Sequence, residues 1–202
     1  MNKIIQIIAV IIAFLSLSNI TISQTSNGYL EAKNHIVRLH DSSILLVRLQ
    51  TKEHSLQIYR NASRHKFADK KELGQKTLNQ QIVNAFRKNF NFCEVYFFYS
   101  NESSNIIEQK FHETIFLNDS LQKTPSIKPN FEDHYYYIAE FKTITSETGI
   151  QGLIIMDSEF KQLDKPFPYY AKNPFFASKS KFAFTTVKRF NENLHNYYNS
   201  CK

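Results

Sequence analysis

The sequence FNFCEVYFFYS, from Phe90 to Ser100, decides the fold that we expect for this chain. Apolar or aromatic side chains fill every position from Val95 to Tyr99, without the polar alternation of a strand that has one solvent face. A run of this kind is typical of an interior strand in a sheet that helices cover on both faces. A second such run lies at residues 44–49. We therefore predict two neighbouring strands in the middle of a helix-covered sheet.

A long helical pattern joins the two runs. Apolar residues recur mostly at three- to five-residue steps between Phe67 and Phe90, and Lys, Arg, Gln and Asn occupy most positions between them. This spacing predicts an amphipathic helix that lies on the sheet, with a weak point at Gly74 where it can break. Strand–helix–strand units are nearly always parallel and right-handed, so we expect the two strands to be parallel.

The remaining elements complete an α/β fold. They are a short strand at 35–39, a short helix at 105–111, a strand at 114–117, an antiparallel hairpin of 135–141 with 152–156, and a final helix with Ala183, Val187, Phe190, Leu194 and Tyr197 on one stripe. We predict a mixed β-sheet of about five strands covered by helices, in three layers. The element order is similar to that of thioredoxin-like folds, but their Cys-x-x-Cys redox motif is missing.

The first 23 residues have the composition of a secretory signal peptide. A cation near the start precedes an apolar run at residues 4–17, and small residues at Thr21 and Ser23 predict cleavage after Ser23. An uncleaved anchor is the alternative, although the run is shorter than the roughly 20 residues of a spanning helix. The predicted organisation is a signal peptide at 1–23, a flexible leader at 24–33 and one α/β domain at 34–202. We expect a protein exported to the periplasm or the medium, and not integral to the membrane after cleavage.

The chain is basic, with a formal net charge of +7, and its charge is uneven. Residues 60–88 hold eight Lys or Arg against two acids, residues 161–189 hold seven against one, and residues 101–159 hold ten acids against four Lys. On separate faces these segments give a basic surface for an anionic envelope component or a protein partner. The alternative is that the charged side chains lie on solvated helix faces or form internal ion pairs. We expect no nucleic-acid partner, because export separates the protein from cellular nucleic acid.

The sequence carries no motif for a catalytic, metal or cofactor site. Its seven histidines form no pair at i, i+2 or i, i+4, so a zinc signature is missing. Only four glycines occur, which argues against a Gly-x-Ser-x-Gly elbow and against Gly-rich phosphate loops. Cys93 enters a predicted buried strand, and we expect its thiol to be inert. A bridge to Cys201 requires the last helix to end over the start of that strand.

A long loop at residues 161–180 carries the candidate binding residues. Its aromatic side chains alternate with lysines, a composition that can stack on sugar rings or hold a partner chain. The alternative is that the aromatic residues pin the loop to the domain and leave the lysines in water. The candidate ligand- or partner-binding residues are Lys165, Phe167, Tyr169, Tyr170 and Lys172.

Three segments support a family resemblance. They are FRKNFNFCEVYFF at residues 86–98, LIIMD at 153–157 and KPFPYY at 165–170. In combination they resemble a family of uncharacterised exported proteins of Bacteroidota-type bacteria, over most of the chain that follows the signal peptide. The resemblance implies a secreted protein. It implies no activity and no functional residues.

Two classes of function remain open. The first is a non-enzymatic envelope or secreted binding module that uses the loop at 161–180, aided by the basic helix face at 60–88. The second is an enzyme of unrecognised type with its site at strand ends near His134 and Asp157. A pocket in which His134 meets Asp157 or Glu140 favours the enzyme, whereas an open basic surface with exposed loop tyrosines favours the binding module.

Overall fold

The structure is a computed structural model that describes residues 27–132, 134–144, 151–172 and 181–202. The described part forms five β-strands, five α-helices and one short 3-10 helix at Ser100–Glu102. The strands are β1 (Ser43–Leu49), β2 (Glu94–Tyr99), β3 (Tyr135–Thr143), β4 (Gln151–Met156) and β5 (Tyr170–Lys172). The helices are α1 (residues 27–42), α2 (Glu53–Asn61), α3 (His65–Asn89), α4 (Ser103–Ile107) and α5 (Phe182–Ser200). The predicted signal peptide lies outside the described residues.

The five strands form one mixed sheet in the order β2-β1-β3-β4-β5. β1 is parallel to both of its neighbours, with Val47 opposite Phe97 of β2 and Ala139 of β3. β4 is antiparallel to β3 and to β5. The predicted mixed sheet of about five strands, the parallel β1–β2 unit and the β3–β4 hairpin are therefore confirmed.

Helices and loops cover both faces of the sheet, which gives the predicted three-layer α/β fold. Leu45 and Val47 of β1 face a core under α1, α3 and α5, whereas Ile44 and Leu46 face a second core under α4 and the loop that follows it. Successive strand side chains point to opposite faces, so a strand covered on both faces is apolar throughout. No helix within the described ranges has the length and apolar content needed to span a membrane.

β2 lies beside β1 as predicted, but it is an edge strand and not an interior one. In the sheet order it is terminal, with β1 as its strand neighbour. Both faces are nevertheless covered, because Phe97 and Phe98 are fully buried in the two different cores. The backbone N–H of Leu117 donates to the carbonyl oxygen of Phe97 at 2.9 Å and occupies part of the free edge. An apolar run indicates that both faces of a strand are buried. It does not distinguish a covered edge strand from an interior strand.

Residues 27–42 form helix α1, so the prediction of a strand at 35–39 is wrong. The helix also includes residues 27–33, which the sequence pattern assigns to a flexible leader. Ala32, Ile36 and Leu39 are buried in the core beneath α3 and α5. Their spacing of four and three residues is a helical repeat, and it becomes visible only when the segment is considered together with the residues before it.

The helix predicted between Phe67 and Phe90 is confirmed as α3, without a break at Gly74, and a separate helix, α2, precedes it. α2 ends at Asn61 and α3 begins at His65, with Ser63 between them in the left-handed region at a φ of 57°. Gly74 lies inside α3 without interrupting it. The two helices pack against each other as a helical hairpin.

β5 is a short strand inside the segment predicted to be a loop. Ala171 is opposite Leu153 of β4, and Tyr170 is opposite Ile154. Three residues of strand are too few to show an alternating pattern in the sequence, so this element has no local signal. The later part of the predicted loop, residues 173–180, lies outside the described residues.

Gly152 is required by the close approach of β5 to β4. A Cβ atom at this position would lie 2.4 Å from the backbone oxygen of Ala171. We expect Gly152→Ala to lower the free energy of unfolding by about 1–3 kcal/mol, the usual cost of overpacking, because backbone cannot move aside as a flexible side chain can. Urea denaturation followed by circular dichroism measures the loss.

Gly74 provides the matched control for Gly152→Ala. Nothing lies within 4 Å of a Cβ atom built at Gly74, and the residue is in the interior of α3. Gly74→Ala should therefore raise the free energy of unfolding by about 0.5–1 kcal/mol, since Ala loses less conformational entropy than Gly in a helix. Equal effects of the two substitutions would contradict the close pairing of β4 with β5.

Candidate functional site

The carboxyl ends of β1 and β3 lie side by side, and the chain leaves them in opposite directions. After β1 it passes through α2 and α3 to β2 on one side, whereas after β3 it returns as β4 on the other side. In open α/β sheets, ligands bind in the crevice outside the carboxyl ends of strands at such a point of divergence. A cavity of about 290 Å³ lies here, and we call it the β1–β3 crevice.

The lining of the β1–β3 crevice is partly apolar and partly polar. We call its apolar side chains the wall, the buried amides of Gln75 and Asn79 the floor, and the exposed Lys52 and Lys142 the rim. Leu78 and Ile82 of α3, Phe141 of β3 and Phe182 of α5 form the wall, and the rings of the two phenylalanines lie 5.2 Å apart. The polar residues of the lining are Arg48, Gln50, Lys52, Gln75, Asn79, Lys142, Thr143 and Gln151. Binding pockets commonly have this composition, in which apolar contact supplies area and a few polar groups fix orientation.

Gln75 and Asn79 are buried polar side chains on one face of α3, with only 8% and 3% of their surface exposed. The Nε2 group of Gln75 donates to Oδ1 of Asn79 at 2.9 Å, and Nδ2 of Asn79 donates to the backbone oxygen of Gln50 at 2.9 Å. A primary amide has two N–H donors and an oxygen with two lone pairs. Each side chain therefore keeps hydrogen-bonding capacity beyond these contacts.

A largely buried ion pair joins the ends of the two strands that form the crevice. Nη1 of Arg48 donates to Oε1 of Glu140 at 2.6 Å, between residues that are opposite each other in β1 and β3. Nε of Arg48 donates to Oγ of Ser103 at 2.8 Å, and the side-chain amide of Gln50 donates to the same oxygen of Glu140. The network thus holds Gln50, whose backbone oxygen in turn holds Asn79.

The charge of the crevice comes mainly from its rim. Glu140 neutralises Arg48, whereas two lysines of the lining are exposed, Lys52 at the start of α2 and Lys142 on β3. Lys52 adopts a φ of 57°, which turns the chain from β1 into the helix. The crevice therefore has a mildly positive rim above a neutral floor.

Most of the predicted aromatic binding residues are packed against the domain. Phe167 is 2% exposed and belongs to the core under α1 and α5. Tyr169 and Tyr170 are half-buried, with ring centroids 4.7 Å apart, and they pack against different cores. The alternative that aromatic residues pin this segment to the domain thus describes Phe167 fully and the two tyrosines in part.

The two predicted binding lysines lie near opposite ends of the sheet. Lys165 lines a small cavity of about 70 Å³ beside Asp157, where β4 ends. Lys172 is opposite Gly152, near the start of β4 and so at the same end of the sheet as the β1–β3 crevice. The structure therefore does not bring the five predicted residues together into one site.

The predicted partners of His134 do not form a pocket with it in the described structure. His134 and Asp157 are at the same end of the β3–β4 hairpin, but the carboxylate of Asp157 accepts backbone N–H groups of Glu159 and Lys161 at 3.0 and 2.8 Å. Glu140 is six residues further along β3, roughly 20 Å away, and pairs with Arg48. The grouping that favours an enzyme at His134 is therefore not formed by these carboxylates.

His35 lines the same cavity of about 70 Å³ as Asp157. Its Nδ1 is 2.8 Å from the hydroxyl oxygen of Tyr137, which is buried in the core, whereas His35 is half-buried. Burial is the main cause of the lowered pKa of His35. The charge of Arg38 lowers the pKa further, whereas Glu31 and Asp157 raise it and offset part of the shift. Burial likewise raises the pKa of Tyr137 to about 12. The pair forms a partly buried polar contact between α1 and β3.

The lowered pKa of His35 predicts a loss of stability in mild acid. Below the ordinary value of 6.5 the unfolded chain binds a proton that folded His35 resists, so the free energy of unfolding falls as the pH drops through that region. We expect His35→Asn to flatten this dependence between pH 7.5 and 5, by at most about 1.4 kcal/mol per pH unit. Denaturation curves at several pH values measure it. The exposed His54→Asn variant is the control, and an unchanged slope in His35→Asn would contradict the account.

Both cysteines are free thiols. Burial, with a smaller contribution from Glu94, raises the pKa of Cys93. Since the thiolate is the reactive form, this environment makes Cys93 a poor nucleophile at neutral pH, in agreement with the predicted inert thiol. Cys201 is buried at the carboxyl end of α5.

Ion pairs neutralise part of the positive charge of the basic segment at 60–88. Arg60 lies within ion-pair distance of Asp69 and Glu72 in the same helical hairpin. Arg87 donates to Asp119 at 2.8 Å, which links the basic segment to the acidic one. These contacts are exposed and contribute little stability each.

The part of the chain that the structure describes contains no cluster of three or more His, Cys, Asp or Glu side chains suited to a metal ion. Comparisons of the chain with protein-family models, with curated proteins and with solved structures gave no match. The proposals below therefore rest on the geometry of the chain itself.

Sequence reasoning missed Gln75 and Asn79, although a signal was present. The buried positions of α3 include Ala68, Gln75, Asn79, Ile82 and Phe86, so the two amides occupy the helix stripe that otherwise faces the core. Polar residues on a buried stripe need partners there. Counting the polar residues at the helical spacing of the apolar stripe would have identified Gln75 and Asn79 as candidate site residues.

Proposed function

We propose that the protein is an exported binding protein, and that it holds a small ligand in the β1–β3 crevice. This proposal keeps the binding module expected from the sequence and moves its site from the 161–180 loop to the ends of β1 and β3. The loop's Lys172 stays near that end of the sheet.

One observation carries the proposal. Gln75 and Asn79 are more than nine-tenths buried yet line an open cavity, and the Arg48–Glu140 pair holds the backbone that supports them. Burying two amides and an ion pair costs stability compared with apolar residues of the same size. A site for a ligand with polar groups gives a reason for that cost.

Chemical-shift mapping tests this function. We would titrate isotope-labelled protein with a mixed library of small polar metabolites and follow the backbone signals. The proposal expects the shifted signals to cluster at residues 50–52, 75–82 and 141–143. Shifts that cluster at residues 161–172 would favour the loop instead, and the absence of any shift at the crevice would contradict the proposal.

The enzyme alternative has one observation in its favour. His35, Tyr137 and Asp157 lie together near the cavity that Lys165 lines, at the end of the sheet opposite the crevice. The same titration decides between the functions, because an enzyme would convert a library member and change the ligand's own signals over time. Stable ligand signals together with crevice shifts would exclude the enzyme for the compounds tested.

Export has its own test. The sequence of the first 23 residues predicts cleavage after Ser23, so protein recovered from the producing cells should begin at Gln24. Intact-mass measurement of the purified protein distinguishes this product from the uncleaved chain. A mass that includes Met1 to Ser23 would contradict the proposed signal peptide.

A further inference from the structure

We infer that the ligand of the β1–β3 crevice is a small sugar of one or two rings. The inference rests on the proposed function and names its ligand class. It depends on three properties of the crevice: the chemistry of its floor, the shape of its wall and its size.

The floor offers donors and acceptors together. One N–H of Gln75 and one N–H of Asn79 are used in the hydrogen-bond chain to Gln50, which leaves a further N–H on each amide and lone pairs on both oxygens. A sugar hydroxyl also donates and accepts, so it complements an amide in both roles. A carboxylate or phosphate only accepts, and the amide oxygens would face it without a partner.

The wall is apolar and partly aromatic. Phe141 and Phe182 stand 5.2 Å apart with an interplanar angle of 59°, and Leu78 and Ile82 extend the surface along α3. A sugar ring has an apolar face of C–H groups and an edge of hydroxyls. It can therefore place C–H groups against this wall while its hydroxyls reach the floor, as ring stacking on aromatic side chains requires.

The volume of the crevice and the charge of its rim restrict the choice of ligand further. A volume of about 290 Å³ is at the lower end of the range for small-molecule sites, which suits one or two rings. Lys52 and Lys142 at the rim add two exposed cations. An acidic sugar can use them, but the neutral floor does not require a negative charge.

Isothermal titration calorimetry with a fixed panel tests the inference. Protein expressed from the full-length sequence is titrated with glucose, N-acetylglucosamine and glucuronate, and with two non-sugars, cyclohexanol and succinate. We expect at least one sugar to bind, and neither non-sugar to match it. Gln75→Met should weaken sugar binding about fivefold to tenfold, the value of one hydrogen bond. Gln81→Met, the same change on α3 outside the crevice lining, should leave it unchanged.

Three outcomes would overturn the inference. Binding of succinate in preference to every sugar would make the crevice an anion site, and sugar binding that Gln75→Met leaves unchanged would place the sugar elsewhere. If no sugar binds while the metabolite library shifts crevice signals, the ligand class is wrong and the proposed binding function stands. Should Gln75→Met fail to fold, the unmodified protein still gives the answer, because a bound sugar must shift the side-chain amide signals of Gln75 and Asn79.

Discussion

Replacing Phe190 by Ala is expected to lower the free energy of unfolding by about 3–5 kcal/mol, a large part of the stability of a single domain. Phe190 is fully buried on α5 and stacks on Phe90, at a ring-centroid distance of 6.0 Å. It lies in the stripe through which α5 covers the sheet, with Val187 and Leu194. Truncation removes the apolar contact and leaves a cavity, and both effects act in the same direction. Urea or thermal denaturation measures the loss.

Phe184 supplies a matched control on the same helix. It is 38% exposed, against none for Phe190. Phe184→Ala should therefore change the free energy of unfolding by about 0.5 kcal/mol or less, as surface substitutions usually do. A small effect of Phe190→Ala, or equal effects of the two variants, would contradict the packing of α5 on the sheet.

Glu140→Gln should cost about 2–3 kcal/mol of folding free energy. The side chain of Glu140 is 7% exposed and that of Arg48 is 22% exposed, so the substitution leaves a largely desolvated guanidinium without its counter-charge. Breaking a fully buried pair costs more, about 3–5 kcal/mol, and the partial exposure of Arg48 reduces the expected loss. Denaturation of the variant at neutral pH measures it.

A double variant separates the charge from the packing. Removing both charges together, as Glu140→Leu with Arg48→Met, should be less destabilising than Glu140→Gln alone, because no unpaired charge remains. If the double variant is the worse of the two, the network contributes net stability and the account of its cost is wrong. The double variant should also weaken ligand binding in the crevice, since Gln50 then loses its carboxylate partner.

The sequence predicted the parts of the fold that depend on local patterns. β1 and β2 are apolar runs, and α5 has its buried residues on one helical stripe. In each of them the spacing of the apolar residues matches the secondary structure that forms. The prediction of a strand at residues 35–39 is wrong, because five residues are too few to show a helical period and the helix that contains them extends beyond them in both directions. The position of β2 at the sheet edge is a property of the topology, and no local pattern reports it.

The candidate site was harder to predict than the fold. The alternation of aromatic residues and lysines predicts that Phe167 binds a ligand or partner, whereas Phe167 is buried in the core. The crevice instead joins residues of α3, β3 and α5 with the end of β1, so its parts are far apart in the sequence and meet only in the folded chain. Glu140 was recognised as a possible partner of a histidine, whereas its partners are Arg48 and Gln50 on the neighbouring strand end.

The central claim is that the β1–β3 crevice is an open site that holds a sugar, and a crystal structure of the protein soaked in the tightest-binding sugar of the panel tests it most directly. The account predicts density for a ring against Phe141 and Phe182, with hydroxyls within hydrogen-bonding distance of Gln75 or Asn79. Density for the sugar at another surface, or a crevice filled by the protein's own side chains, would contradict it.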